Sequence, residues 1–265
     1  MDLPSRPPSL ATVVLLTLLC WSRSSGQDAL QLFHKMQRAL GGAEKIASVR
    51  DFEQTVRADA WDYSGNPMGV VHKRVRFVRP SYLRVDQVGR GDTWVLYFDG
   101  TSGWEILPDG TVAELKGGEL RFARIYLNGL ELNTWLADRD PPYVLGSPAR
   151  NVITIGPKDN SFPASEITLD PLTFLPIKEK GISHADPDHP ASVETRIGQW
   201  QVVDGVKFPG LITKFHNSTK LAEITVEMTK LNGGLKAEAS MALRGDCRTP
   251  QVHCLLEPFQ HPARS

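Results

Sequence analysis

Cysteine is nearly absent from this chain: its 265 residues include three, at positions 20, 247 and 254. Three thiols cannot build the dense disulfide framework of small secreted folds, so the fold must rest on an apolar core. A surplus of either charge is also missing, because 30 basic residues offset 30 acidic ones. That balance shows nothing like the basic excess expected of a nucleic-acid binder, and no nucleic acid partner is expected. Long apolar runs are missing too. The segment ATVVLLTLL at residues 11–19 is too short to span a bilayer as a helix, and no other run could cross a membrane in the mature chain. No Gly-rich phosphate loop, Gly-x-Ser-x-Gly elbow or His-Glu-x-x-His helix occurs. No cofactor is implied, and the chain reads as non-enzymatic.

What is present begins with a leader. Arg6 in a Pro-rich lead, the apolar run, and then Ser24, Ser25 and Gly26 together read as a signal peptide over residues 1–26, cleaved near Gly26. Cys20 permits a lipid anchor, but bulky Leu18 and Leu19 precede it where a bacterial lipobox carries small residues. The expected location is therefore periplasmic or secreted. In an oxidising compartment Cys247 and Cys254 can close a small disulfide loop. Residues 27–240 are expected to form one domain, with 41% hydrophobic composition over the chain supporting a sizeable core. Residues 241–265 carry Pro250, Pro258 and Pro262 without any period and read as an irregular, flexible tail.

Periodicity assigns the elements. Residues 28–40 carry a helical stripe through Leu30, Phe33, Met36 and Leu40, stopped by Gly41 and Gly42. Alternation then takes over. Val71, Val75 and Phe77 point one way while His72, Arg74 and Arg76 point the other; Leu83 and Val85 continue the pattern. Trp94, Leu96 and Phe98 share a face, with Trp104 and Ile106 following after a turn and assigned to the same wall. Residues 118–137 lose the alternation and read as helical, broken near Asn128 and Gly129. Strands resume at residues 151–155, 165–169, 175–179, 193–203, 206–216 and 221–231. The expectation is an α+β fold: a strongly curved antiparallel half-barrel of about ten or eleven strands. An N-terminal helix and a mid-chain helical segment would cover its concave face.

The stretch YFDGTSGWEILPDGTV, residues 97–112, holds two Asp-Gly pairs that imitate an acidic site. The same signal recurs at Asp204-Gly205, with variants at Gly65-Asn66-Pro67 and Asp170-Pro171, so the pairs read as hairpin corners. Residues 184–189 (HADPDH) gather His184, Asp186, Asp188 and His189, weak candidates for a metal or a hydrolytic centre, in a segment that also suits a solvated loop. Asn217-Ser218-Thr219 matches a glycosylation sequon. The most informative feature is apolar. Val75, Phe77, Leu83, Val85, Trp94, Leu96, Phe98, Trp104 and Ile106 make a broad surface that too few helices cover, a candidate ligand-binding wall.

The signal peptide, RALGGAEKIASVRDF, YFDGTSGWEI, LDPLTFLPIK, VVDGVKFP and LNGGLKAE, in this order, resemble the LolA-like outer-membrane lipoprotein-sorting family. That superfamily also takes in LppX- and LprG-like lipid carriers. The resemblance covers roughly residues 29–235, and close matches are uncharacterised secreted bacterial proteins. It implies a half-barrel around a helical plug, holding lipid or lipoprotein acyl chains. Family carriers use an inner-face arginine, a role for which Arg76 and Arg84 are the candidates left open. The expected function is thus a non-enzymatic binder or carrier of lipid or lipoprotein acyl chains. The alternatives are an envelope module that docks a protein partner without lipid, and a hydrolase or metal enzyme at residues 184–189.

Overall fold

A computed structural model describes residues 24–89, 92–107, 109–139, 143–158, 164–183 and 191–237. The leader up to residue 23, Cys20, the 184–189 cluster, and the tail with Cys247 and Cys254 lie outside the described residues. The chain opens with helices α1 (Ser24–Leu40) and α2 (Ala43–Ser48), then β1 (Asp51–Trp61), β2 (Pro67–Val78), β3 (Tyr82–Gly89), β4 (Asp92–Phe98), β5 (Gly103–Ile106) and β6 (Val112–Glu114). The helical interruption resolves into α3 (Gly117–Asn128), α4 (Glu131–Thr134) and a 3-10 turn, Ala137–Arg139. There follow β7 (Tyr143–Ala149), β8 (Val152–Pro157), β9 (Ser165–Leu169), β10 (Pro176–Ser183), β11 (Ala191–Gly198), β12 (Gln201–Val203), β13 (Val206–Phe208), β14 (Leu211–His216) and β15 (Thr219–Leu231).

Thirteen of these strands form one sheet in the order β6-β5-β4-β3-β2-β1-β15-β14-β11-β10-β9-β8-β7, and β12 pairs with β13 alone. The pairings are antiparallel, for example β1 with both β2 and β15. This is the expected antiparallel half-barrel: one large, curved, unclosed sheet with few helices. The strand count exceeds the expected ten or eleven for identifiable reasons. The runs at 193–203 and 206–216 each break in two, at Gln199 with φ of 52° and at the Pro209-Gly210 bend. Strand β7 contains Gly146 and Pro148, which hide a strand in sequence; as an edge strand it tolerates a proline that has no N–H to donate.

Helix α1 buries Ala29, Phe33, Met36 and Leu40, spaced four, three and four apart. Leu30, placed on that stripe from the sequence, is 40% exposed, because one residue along a helix turns the side chain by roughly 100°. Polar ties fix the helix over the sheet. Gln37 Nε2 donates to the Trp135 carbonyl at 2.9 Å and to Asp138 Oδ1 at 2.7 Å, and His34 Nε2 lies 3.2 Å from Asp138 Oδ2. The β12–β13 hairpin folds over the same core: Phe208 stacks on Phe52 at 5.9 Å and meets Trp135 at 5.4 Å.

The turns follow the sequence in kind but differ in type. Asp204 and Gly205 have φ of 49° and 78°, the two-residue type I′ corner expected of an Asp-Gly pair. Asp99 instead closes a four-residue loop, its Oδ1 accepting from the Thr101 and Ser102 amides at 2.8 and 2.7 Å, with only Gly100 at positive φ. Asp170 does the same for Leu172 and Thr173 at 3.0 and 2.7 Å. The Thr111 amide donates in the same way to Asp109 at 2.8 Å, and the Thr111 and Thr173 donors hold the Asp109 and Asp170 carboxyls below the usual carboxylate range, the signature of capped turns.

Gly41 joins two of these pieces. Its φ is 122°, and a Cβ there would stand 2.2 Å from the Gly205 carbonyl oxygen, so the end of α1 sits directly on the Asp204-Gly205 corner. Gly41→Ala is expected to destabilise the protein by about 2–3 kcal/mol through backbone strain and overpacking. Gly118, at the start of α3, has open space around its would-be Cβ. Gly118→Ala should be neutral or stabilising by up to about 1 kcal/mol. Urea denaturation of both variants checks the pair.

Candidate functional site on the inner face of the sheet

The register builds the inner face in rungs. Deepest is Phe52–Phe77–Leu83–Phe98, whose aromatic and aliphatic side chains are 0–2% exposed. The next is Gln54–Val75–Val85–Leu96–Glu105, and beyond it lies Val56–Lys73–Gln87–Trp94. Seven of the predicted wall residues, Val75, Phe77, Leu83, Val85, Trp94, Leu96 and Phe98, therefore share one face and belong to the apolar core cluster. Helix α3 adds Ala123 and Leu127 to that cluster, and α4 adds Leu132.

Two predicted wall residues do not join them. Trp104 pairs with Tyr97 and Ile106 with Val95, which places both on the outer face. The alternation holds within each strand, but the four-residue Asp99–Ser102 loop shifts the phase between β4 and β5. Inward positions pass from Trp94, Leu96 and Phe98 to Gly103 and Glu105. Trp104 stacks on Tyr97 at 5.6 Å on that outer face, where burial and the nearby Asp99 and Tyr82 push the Tyr97 hydroxyl up to about 12. Arg76 and Arg84 lie on the same outer side, in register with Tyr97, and both pair with Asp86. Neither is an inner-face arginine.

The arginine that does join the sheet to the helical segment is Arg79, just past β2. Its Nε donates to the Val49 carbonyl at 2.8 Å and its guanidinium to the Leu132 carbonyl at 3.0 Å, while the cation lies over the Phe77 ring at 5.9 Å. Burial lowers its proton affinity. Nothing in the local sequence singles it out, since it ends an alternating strand as many exposed arginines do.

On the other half of the sheet the inner face changes character. A continuous line of cross-strand partners runs Ile153–Ile167–Glu179–Thr195–Lys214–Ala222–Ala60. The isoleucines are buried, but Glu179, Thr195 and Lys214 are only half-buried, as is every residue of β14. Glu131, at the start of α4, looks onto this line. Burial raises the affinity of the Glu131 carboxyl for its proton, and the Glu179 charge adds to it while Lys214 opposes it. Glu179 is raised by burial as well, against an opposing Ser165 hydrogen bond and Lys214. Groups that are desolvated yet still touched by water line a recess: protein surrounds them without sealing them. The half-barrel thus has a closed, packed side at β1–β5 and an indented side at β10, β11 and β14.

An open cleft of about 480 Å³ lies elsewhere, between α1 and the β7–β8 and β9–β10 corners. Asp28, Lys35 and Arg150 contribute to its lining, and the Lys35 ammonium sits 5.0 Å over the Phe174 ring. Its polar lining does not suit an acyl chain. Among the described residues no three His, Cys, Asp or Glu side chains are grouped to hold a metal ion, and no helix is long and apolar enough to cross a membrane.

Comparison with solved structures identifies the architecture. A LolA superfamily protein from Nitrosomonas europaea superposes with a TM-score of 0.55 at 13% identity, covering 79% of this chain and 96% of that one. An outer membrane lipoprotein-sorting protein domain from Vibrio parahaemolyticus gives 0.54 at 13% identity, with coverage of 81% and 97%. A DUF1329 family protein from Desulfovibrio piger gives 0.55 at 10% identity, with coverage of 78% and 95%. No protein-family model matches the sequence, and no curated protein does. At these identities the likeness establishes the fold, which is LolA-like.

The raised carboxyls have a consequence for stability. A group that holds its proton more tightly folded than unfolded supports the fold fully below its unfolded pKa, here the ordinary 4.5 of glutamate. That support is lost as pH rises from there through the raised value, at about 1.4 kcal/mol per pH unit for each group. The Glu131→Gln, Glu179→Gln double variant should therefore match the parent near pH 4 and gain on it as pH rises above 4.5, levelling off once both raised carboxyls have ionised. Urea midpoints across that range test this; a constant difference would contradict it.

Proposed function

We propose that the protein is a non-enzymatic carrier of lipid or lipoprotein acyl chains, held against the inner face of the half-barrel. The observation that carries this reading is the mismatch between sheet and cover. Thirteen strands curve around helices of 17 and 12 residues, a few short helical turns and one small hairpin, and the inner face at β10, β11 and β14 remains only half-buried. An acyl chain entering there would meet the apolar rungs of β1–β5 and gain roughly 0.8 kcal/mol per buried methylene. In this reading Val75, Phe77, Leu83, Val85, Trp94, Leu96 and Phe98 form the far wall. The solved LolA-like relatives support it by architecture, one of them being described as a lipoprotein-sorting domain.

The reading extends to the whole chain. Residues 1–26 are an export leader removed near Gly26, residues 27–240 are the carrier domain, and residues 241–265 are a tail whose Cys247 and Cys254 pair in an oxidising compartment. The site of action is the periplasm or the medium. A second reading, docking of an envelope protein, is favoured by the two sheet edges. Among the described residues, strands β6 and β7 leave one backbone side unpaired, and Val112 and Val144 on them are each 54% exposed. Loss of a captured protein partner in a Val144→Lys variant, with no lipid in the complex, would favour that alternative.

Protein purified without detergent is expected to release acyl-bearing lipid on extraction and to show the complex by native mass spectrometry. The tryptophans localise the effect. Delipidation should shift the emission of the parent and of Trp104→Phe, whose substitution is on the outer face, but far less that of Trp94→Phe. Protein that carries no lipid and takes up no added amphiphile would refute the carrier.

A further inference from the structure

The third rung of the inner face contains a group with no partner among the described residues. Gln87 is 0% exposed, and neither its amide nitrogen nor its carbonyl oxygen has a hydrogen-bond partner there. Its orientation is fixed by register: Leu83, Val85 and Gln87 alternate inward along β3, and Gln87 stands directly opposite Lys73 on β2 and Trp94 on β4. The other polar groups nearby are engaged. The Trp94 indole Nε1 donates to Glu105 Oε2 at 2.9 Å, and Gln54 Nε2 donates to Thr229 Oγ1 at 3.2 Å. A buried amide left wholly unpaired is rare, because it gives up its water hydrogen bonds for nothing in return.

We propose that Gln87 is the head-group station of the carrier. The ligand is an acyl amphiphile whose head offers an acceptor oxygen beside an O–H or N–H donor. Val75, Val85 and Leu96 are packed under the cover in the unliganded protein; the acyl chain displaces that cover to lie along them, and its head meets the Gln87 amide, which donates to the acceptor and accepts from the donor. A pure hydrocarbon would fill the apolar rungs but leave Gln87 unpaired, so this rung selects for a head that hydrocarbon lacks. The inference rests on the carrier reading above and specifies the ligand within it.

The test compares two probes of equal chain length, monolauroylglycerol and dodecane, on delipidated full-length protein by isothermal titration calorimetry. Gln87→Met keeps length and volume while removing both hydrogen-bonding ends; Gln87→Leu is the second variant should packing fail. Each should bind monolauroylglycerol about tenfold more weakly than the parent, the cost of a lost pair of hydrogen bonds, with dodecane binding changed less than twofold. The same variants should show a higher urea midpoint without ligand, since an unpaired buried amide has been removed. Equal weakening of both probes, or of neither, would overturn the station and leave the carrier standing. If the parent binds neither probe, the carrier reading falls and the station with it.

Discussion

The pairing of β1 with β15 is the joint on which the architecture depends. These strands come from opposite ends of the described chain, and their register runs from Phe52 with Leu231 to Ala60 with Ala222. On one side of the joint a local meander carries β1 through β6; on the other, β7 through β11 and β14 build the second half. Each half alone is a set of hairpins with an unpaired edge and one apolar face. Joined, they make one sheet wide enough to curve around its own core. Because a one-residue slip would turn every inward side chain out, the apolar faces of both halves fix the register of the joint. The bulge between Thr55 and Val56 adjusts it locally.

Width creates the second constraint. An inner face this broad needs a cover, and the chain devotes to it α1, the α3–α4 segment and the β12–β13 hairpin. The polar ties gather where these covers meet. Gln37 and His34 bind α1 to the turn at Asp138, Arg79 binds the sheet to α4, and the end of α1 rests on the Asp204-Gly205 corner. These contacts fasten the cover to itself and to the packed side. The side toward β14 has only half-buried residues on its inner face, and there the cover presents Glu131 rather than an apolar residue.

Much of this was legible in the residues because antiparallel hairpins are local. Period-two runs, Asp-Gly corners and the Gly41-Gly42 stop are set by the pleat and by φ, and they located most of the strands and both helical regions. What was not legible depends on partners distant in sequence. Leu30 and Ala29 look alike as helix-stripe residues until the sheet beneath selects one. Trp104 and Ile106 look like a continuation of Trp94 and Leu96 until the loop length sets the phase of β5. Glu179 reads as an exposed strand glutamate, since nothing near it records that α4 will bring Glu131 to the same recess. Arg79 likewise becomes informative only once Leu132 arrives beside it.

The inner-face positions that break the apolar pattern therefore bear most on function. A chain selected for stability alone would fill the third rung of β1–β4 as it fills the first, and would not set two carboxyls near each other in a desolvated recess. Elsewhere turns are capped, helix stripes are apolar, and ion pairs such as Arg76 with Asp86 and Arg74 with Glu53 lie on the outer face, where the Tyr97 hydroxyl and Arg76 Nε are also buried without a partner among the described residues. Departures from an otherwise consistent pattern are best explained by what their surface meets, and those on the inner face are charged or amide groups where an apolar core would need none. Gln87, Glu131 and Glu179 all face inward, Gln87 fully buried on the packed side and the two carboxyls half-buried across from it. An apolar ligand would account for the curved wall alone. A ligand with both a chain and a polar head accounts for the wall and for its interruptions together.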